Sequence, residues 1–265
     1  MADLLMTAGD PAGSMTIRKI DVADLRDAIV KGIDDFREMP THAIFLVAIY
    51  PVLGLLIGMA TLGGRLTPLL FPLAAGFALV GPVAAIGLYE LSRRREEGLS
   101  LSWKHAFDVF RSHSIVSIAE LALILAAIFL GWLVAAQATY TATMGGEVDV
   151  VPPSFVEFVR QTLTTPAGWT MIVVGNLIGF CFAVVALAVS VVSFPLLIDR
   201  DVGLSTAIQT SIKAVMMNPR TMAIWGLIVA ASLFVGSIPL FVGLAVVMPV
   251  LGHATWHLYR RVVVS

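Results

Sequence analysis

Charge is what this chain has least of. Asp, Glu, Lys and Arg make up 13% of its 265 residues, against roughly 25% in a soluble globular domain. With 58% apolar residues and a mean hydropathy of +0.92, a water-soluble fold would leave large apolar patches in solvent. Cysteine is scarcer still. Cys181 stands alone, which excludes an intramolecular disulfide and a cysteine metal cluster, and its place in an apolar stretch reads as a small packing residue. Residues 1–40 mix acids and bases and lack a basic start followed by a short apolar core, so a cleaved signal peptide is not expected. The formal net charge of -1 and the lack of a basic or acidic tail give no nucleic-acid partner. Walker loop, dinucleotide fingerprint, zinc motif and nucleophile elbow are all missing, so catalysis of the soluble kind has no support and no cofactor is called for.

What the chain does have is apolar stretches long enough to cross a hydrocarbon core of roughly 30 Å. We read them at residues 43–62, 67–91, 115–136, 168–198, 221–238 and 240–259. The last two are separated by Gly236, Ser237 and Pro239, because Met222 to Leu258 is too long for one crossing. The fourth is overlong and is expected to tilt or to leave a turn outside the bilayer. Of the 17 Lys and Arg residues, all but Arg65 and Arg160 fall on one side of this topology, which marks that side as cytoplasmic. An odd number of crossings would strand Arg260 and Arg261 outside. The expectation is an all-α protein of the bacterial inner membrane with six transmembrane helices and both termini cytoplasmic. Residues 1–20 form a flexible N-terminus and residues 21–265 a single membrane domain.

Three polar segments share one pattern when aligned without gaps. Leu25, Leu99 and Leu204 match, followed by Ile29, Trp103 and Ile208, then Ile33, Phe107 and Ile212, then Phe36, Phe110 and Val215. The spacing i, i+4, i+8, i+11 is one face of a helix. Pro40, Ser114 and Pro219 close the pattern in one column, and Ser100 and Ser205 are placed to cap the two later copies. This predicts three tandem units, about 21–91, 98–198 and 203–260, each an amphipathic surface helix followed by a transmembrane hairpin, related by a pseudo-threefold axis along the membrane normal. Pro82, Pro195 and Pro249 fall in the cytoplasmic halves of the second, fourth and sixth crossings and should bend them.

The run Gly81-Pro82 followed by Gly87-Leu88-Tyr89-Glu90-Leu91-Ser92-Arg93-Arg94-Arg95-Glu96-Glu97-Gly98 resembles the hallmark of a bacterial integral membrane family, domain of unknown function 2189. Leu25, Gly32, Asp35, Phe36 and Pro40 are similar to its opening element, so the likeness covers most of the chain. The resemblance implies a membrane protein without an established activity. Some members of such families carry labels that link them to cytochrome c oxidase.

Several residues are candidates for chemistry or contact. Glu90 precedes Arg93 and Arg94 by three and four positions at a helix end, and Arg93, Arg94 and Arg95 are suited to meet anionic lipid or a docking partner. Glu120 is the one carboxylate within a crossing, and Asn176 is a polar group in another that is expected to bond between helices. His253 and His257, at i and i+4, could face one ligand, with His42 or His113 supplying further metal or haem ligands from other repeats. Gly54 and Gly58, and Gly175 and Gly179, are small-residue pairs for close helix approach. The outer loop, residues 137–167, carries a short amphipathic helix after Pro152, Pro153 and Ser154, whose Phe155 and Phe158 form an apolar face for the outer leaflet or a partner. Three function classes stand on these features. The leading one is a non-catalytic accessory, assembly or scaffolding component whose partners are the lipid bilayer and a membrane complex, a respiratory one among them. Parallel repeats, bent helices and Glu120 motivate a transporter or channel, and the histidines alone motivate a haem- or metal-binding redox protein.

Overall fold

The computed structural model describes residues 15–39, 67–73, 81–83, 85–145, 155–239 and 242–264, together with positions 54 and 58. Most of the first crossing, part of the second, Pro40, His42, the Pro152-Pro153-Ser154 segment and residues 1–14 lie outside them. Among the described residues the chain is almost wholly helical. A short strand β1 (Thr16–Ile17) leads into α1 (Val22–Glu38), a 3-10 turn at Thr67–Leu69, α2 (Ile86–Glu96) and a 3-10 helix at Trp103–Arg111. There follow α3 (Ile115–Thr143), α4 (Phe155–Thr164), α5 (Pro166–Ser190), α6 (Ser193–Asp199), α7 (Leu204–Met217), α8 (Pro219–Ser237), α9 (Leu244–Val262) and β2 (Val263–Val264).

Local chemistry sets the ends of these helices. Asp21 and Asp24 exchange backbone and side-chain hydrogen bonds at 3.1 Å, a reciprocal cap that starts α1. Thr165 accepts from the Gly168 N–H and Pro166 occupies the first turn of α5, where its missing N–H costs nothing. At the other end of α2, Gly98 takes φ +67°, a left-handed conformation that favours glycine, and the Gly98 and Leu99 amides return to the Arg95 and Arg94 carbonyls.

Among the described residues, three helical stretches are long and apolar enough to cross a membrane: Ile115–Thr143, Pro166–Asp199 and Pro219–Ser237. Their outward faces carry exposed Leu123, Leu130, Leu177, Phe180, Leu227 and Phe234, the surface expected of helices solvated by lipid tails. α3 and α5 pack side by side. A side chain at Gly179 would meet the Trp132 ring at 3.4 Å, whereas Gly175 faces open space, so one residue of that glycine pair makes room for a neighbour. The fourth stretch divides into α5 and α6. Pro195 has no N–H to return to the Val191 carbonyl, and the break is stitched to α7 by Ser211, which accepts from the Val192 N–H, and by Ser193, which donates to the Ala207 carbonyl. Pro249 lies inside an unbroken α9, and Pro82 within a helical turn.

The best-packed part of the molecule is a collar of α1, α2, α6, α7 and the C-terminal half of α9. Leu88, Leu91, Phe194, Leu196, Trp256, Leu258 and Tyr259 are fully buried there. Where such side chains leave water, each contributes about 1.5–3 kcal/mol. β1 and β2 close the collar as an antiparallel pair, Thr16 opposite Val264 and Ile17 opposite Val263, so the two ends of the described chain meet. The C-terminal half of α9 is therefore buried in protein, although 240–259 reads in sequence as a crossing.

The aligned segments do not all take one form. Copies one and three are α-helices, with Leu25 buried and Ile29, Ile33, Phe36, Leu204 and Ile208 half-buried. In the second, Leu99–Leu101 is not helical and the remainder is a 3-10 helix. Its three-residue turn buries Ala106 and Val109, at i and i+3, and leaves Trp103, Phe107 and Phe110 exposed. The expected caps also shift. Ser102, not Ser100, accepts from the Lys104 N–H, and Gly203 stands at the cap of α7 while Ser205 accepts from Gln209 one turn on. α3 continues to Thr143, past the end of the expected crossing, and Phe158 of α4 lies against Tyr140 with ring centroids 6.2 Å apart.

Candidate functional site

The polar groups of the collar converge where α1 crosses α9. One stripe of α1 is buried, at Leu25, Ala28, Gly32 and Asp35. Gly32 brings the two backbones together: a Cβ there would lie 2.6 Å from the Ala254 nitrogen and 2.8 Å from the Val250 carbonyl. Asp35, one turn further on, is consequently pressed between α9 and α2. Its Oδ2 accepts from Ser92 at 2.6 Å and from His257 Nε2 at 2.9 Å, and its Oδ1 accepts from Arg95 at 2.5 Å. His253 Nδ1 lies 2.7 Å from Ser92 Oγ and 3.8 Å from Asp35. Four residues from two helices thus surround one carboxylate, carried by a third, that is 3% exposed.

Burial by itself would push the Asp35 carboxyl up. Hydrogen bonds from His257 and Ser92, with the charge of the neighbouring imidazoles, outweigh it and hold the group below its ordinary value of 3.8. An ionised Asp35 accepts the single hydroxyl proton of Ser92. The proton shared with His253 must then come from the ring, so Nδ1 carries it, and the ring's remaining nitrogen is Nε2. That Nε2 is buried with no partner among the described residues.

Around this centre every arginine of the hallmark run is engaged. Arg93 forks onto Glu90 with two bonds of 2.8 Å and reaches Glu97 at 2.9 and 3.0 Å. Arg94 bonds the Ser100 carbonyl at 3.3 Å and lies 3.6 Å from Asp108 and 3.8 Å from Glu90. Arg95 spans Asp35 and, at 3.9 Å, Glu38. Glu96 accepts from Trp256 at 3.0 Å and Arg260 at 3.1 Å, and Tyr259 donates to Asp199 at 2.5 Å. A lipid or partner role for Arg93, Arg94 and Arg95 would have to use whatever donor capacity these pairs leave.

The other residues singled out in sequence fall apart in space. His253 and His257 do share a face, but they converge on Asp35 and Ser92. Among the described residues no group of three or more His, Cys, Asp or Glu is arranged to hold a metal ion. His113 is exposed, and His42 lies outside the described residues. Glu120 is exposed on α3. Asn176 is exposed too, and its amide donates to the Ile172 carbonyl of its own helix at 2.7 Å. The Phe155 side chain is outside the described residues, while Phe158 is half-buried.

Three contributors are not among the residues that spacing singles out. Ser92 and Asp35 figured only in the family likeness, and Asn218 not at all, yet its side chain accepts from the Ile20 N–H at 2.8 Å and donates to the Arg18 and Ala214 carbonyls. Thr221 donates to the Ile20 carbonyl at 3.0 Å. A readable signal does exist for Asp35: it falls in register with Leu25, Ala28 and Gly32, an acid on the buried stripe of an amphipathic helix, which requires a partner.

The Ser92, His253 and Asp35 contacts have the residue types of a nucleophile, base and orienting acid, but the order of bonding differs. The serine proton is committed to the carboxylate, and Ser92 and His253 are 1% and 0% exposed, so a substrate has no approach unless the helices part. What this arrangement can do is fasten α1 to α2 and α9. No curated protein and no solved structure matches the chain. Residues 70–199, from ahead of α2 to the end of α6, match the family model described as predicted integral membrane protein (DUF2189).

Proposed function

We propose that the protein is a non-catalytic membrane scaffold, an accessory or assembly component that holds a partner membrane complex, of respiratory type among others. The observation that carries this reading is the commitment of Asp35, Ser92, His257 and Arg95 to one another in a buried junction. Groups that could do chemistry serve to lock the collar. A rigid collar is useful for presenting a surface, and an aromatic one is at hand. Trp103 and Phe107 meet edge to face at 6.0 Å, Phe107 and Phe110 stack at 6.2 Å, and all three are exposed. Aromatic clusters of this kind are favoured at protein contacts and in the head-group layer.

The surrounding architecture we propose is six crossings of the bacterial inner membrane, both termini cytoplasmic, and the three amphipathic segments related by rotations of about 120°. The lopsided placement of Lys and Arg supports the orientation, and the two α-helical copies support the repeat. The test is affinity purification of the tagged chain from its native membrane in mild detergent, beside the double variant Phe107→Ser, Phe110→Ser. A stable membrane partner should co-purify with the wild type and be lost from the variant at unchanged yield. A chain that purifies alone in several mild detergents, or a variant that keeps its partner, contradicts the reading.

A further inference from the structure

Beside the Asp35 junction, where the paired strands meet α9, a polar cleft of about 300 Å³ opens to solvent. Arg18, Lys31, Arg260 and Arg261 line it with His257 and a single carboxylate, Glu96. The acids that balance the other cations stand outside the lining and are shared. Asp24 takes Arg18 at 2.6 Å and Arg261 at 3.7 Å, and Asp27 takes Arg261 and, at 3.5 Å, Lys31. Three cations therefore draw on two carboxylates.

Donors remain on these side chains. Arg18 uses Nε for the Arg261 carbonyl and one terminal nitrogen for Asp24. Arg260 uses Nε for Glu96 and one terminal nitrogen for Asp199. In each, the second terminal nitrogen has no hydrogen bond among the described residues, and the Lys31 ammonium has only its long contact with Asp27. Glu96 is itself occupied by Trp256 and Arg260, which lowers its power to repel an anion. Planar guanidiniums with spare N–H groups beside an ammonium are the donor set that recognises phosphate oxygens.

We infer that this cleft binds a phosphate-class anion, either the head group of an anionic phospholipid or a free phosphate compound, through Arg18, Lys31, Arg260 and Arg261. The inference is independent of the scaffold reading. Because His257 lines the cleft and bonds Asp35, an anion there would sit against the junction that holds α1, and binding to the folded form should stabilise it.

The full chain in neutral detergent is titrated with inorganic phosphate and pyrophosphate by calorimetry. In parallel, nanodiscs of phosphatidylglycerol and of phosphatidylcholine are compared by native mass spectrometry for lipid kept on the protein. Binding should weaken about tenfold in Lys31→Gln and in Arg260→Gln, and should fall with added salt. A response in the phosphate arm assigns the site to a soluble anion, a response in the lipid arm to a head group, and either supports the site. Wild type that answers in neither arm overturns it, as do variants that bind like wild type. Should Arg260→Gln lose its near-ultraviolet circular dichroism, Lys31→Gln decides, since that side chain is 48% exposed and fastens little.

Discussion

Asp35 and His257, 222 positions apart in the chain, meet at 2.9 Å with the Ser92 hydroxyl on the same carboxylate oxygen. A buried acid with several donors is costly to disturb from one side only, because each partner left behind loses its hydrogen bond while staying out of water.

Asp35→Ala should therefore destabilise the protein by about 3–5 kcal/mol, with Arg95, partly buried, left with only its 3.9 Å contact to Glu38. Asp35→Asn keeps the shape and part of the bonding and should cost about 1–3 kcal/mol. Denaturation in detergent followed by tryptophan fluorescence checks both. A loss within about 0.5 kcal/mol for Asp35→Ala would reduce the junction to a surface ion pair.

The same carboxylate sets a pH dependence whose sign follows from its lowered value. A group depressed in the folded state stabilises the fold fully above its ordinary value of 3.8 and loses that contribution as pH falls through the folded value. Asp27, also held low by Arg261 and Lys31 against the opposing effect of burial, adds in the same direction. Acidification below about pH 4 should release α1, seen as faster amide exchange over residues 22–38. Asp35→Asn should remove most of that dependence, and an unchanged acid limb in the variant would assign it to other groups.

Gly32 and Gly252 offer a graded comparison of packing. A Cβ at Gly32 would run into the backbone of α9 at 2.6 Å, whereas one at Gly252 would meet the end of the Leu88 side chain at 2.7 Å. Backbone cannot step aside as a methyl can, so Gly32→Ala should cost the larger part of the roughly 1–3 kcal/mol typical of overpacking. Thermal midpoints of the two variants in one detergent decide it, and a smaller loss at Gly32 would mean that α1 docks less tightly on α9.

Orientation is open to labelling in intact cells. In a Cys181→Ala background, Ser154→Cys should react with an impermeant thiol reagent and Ser102→Cys should not, as the distribution of Lys and Arg requires. The reverse pattern would invert the topology.

Much of this protein was decided by sequence alone, because the signals are local. Apolar length predicts α3, α5 and α8, and the i, i+4 spacing predicts α1 and α7 to within a few residues. The break at Pro195 follows from its missing N–H. Local periodicity does not decide between an α-helix and a 3-10 helix when the competing contacts come from elsewhere, and so the second copy departs from its siblings and turns Trp103, Phe107 and Phe110 outward. Nor does spacing tell a histidine pair what it faces. His253 and His257 could be placed on one side of α9 from the sequence, but their partners come from α1 and α2, and only the close approach that Gly32 allows sets Asp35 between them. A polar network across more than 200 positions depends on how helices dock, and docking is decided by the summed packing of many side chains and by no single motif.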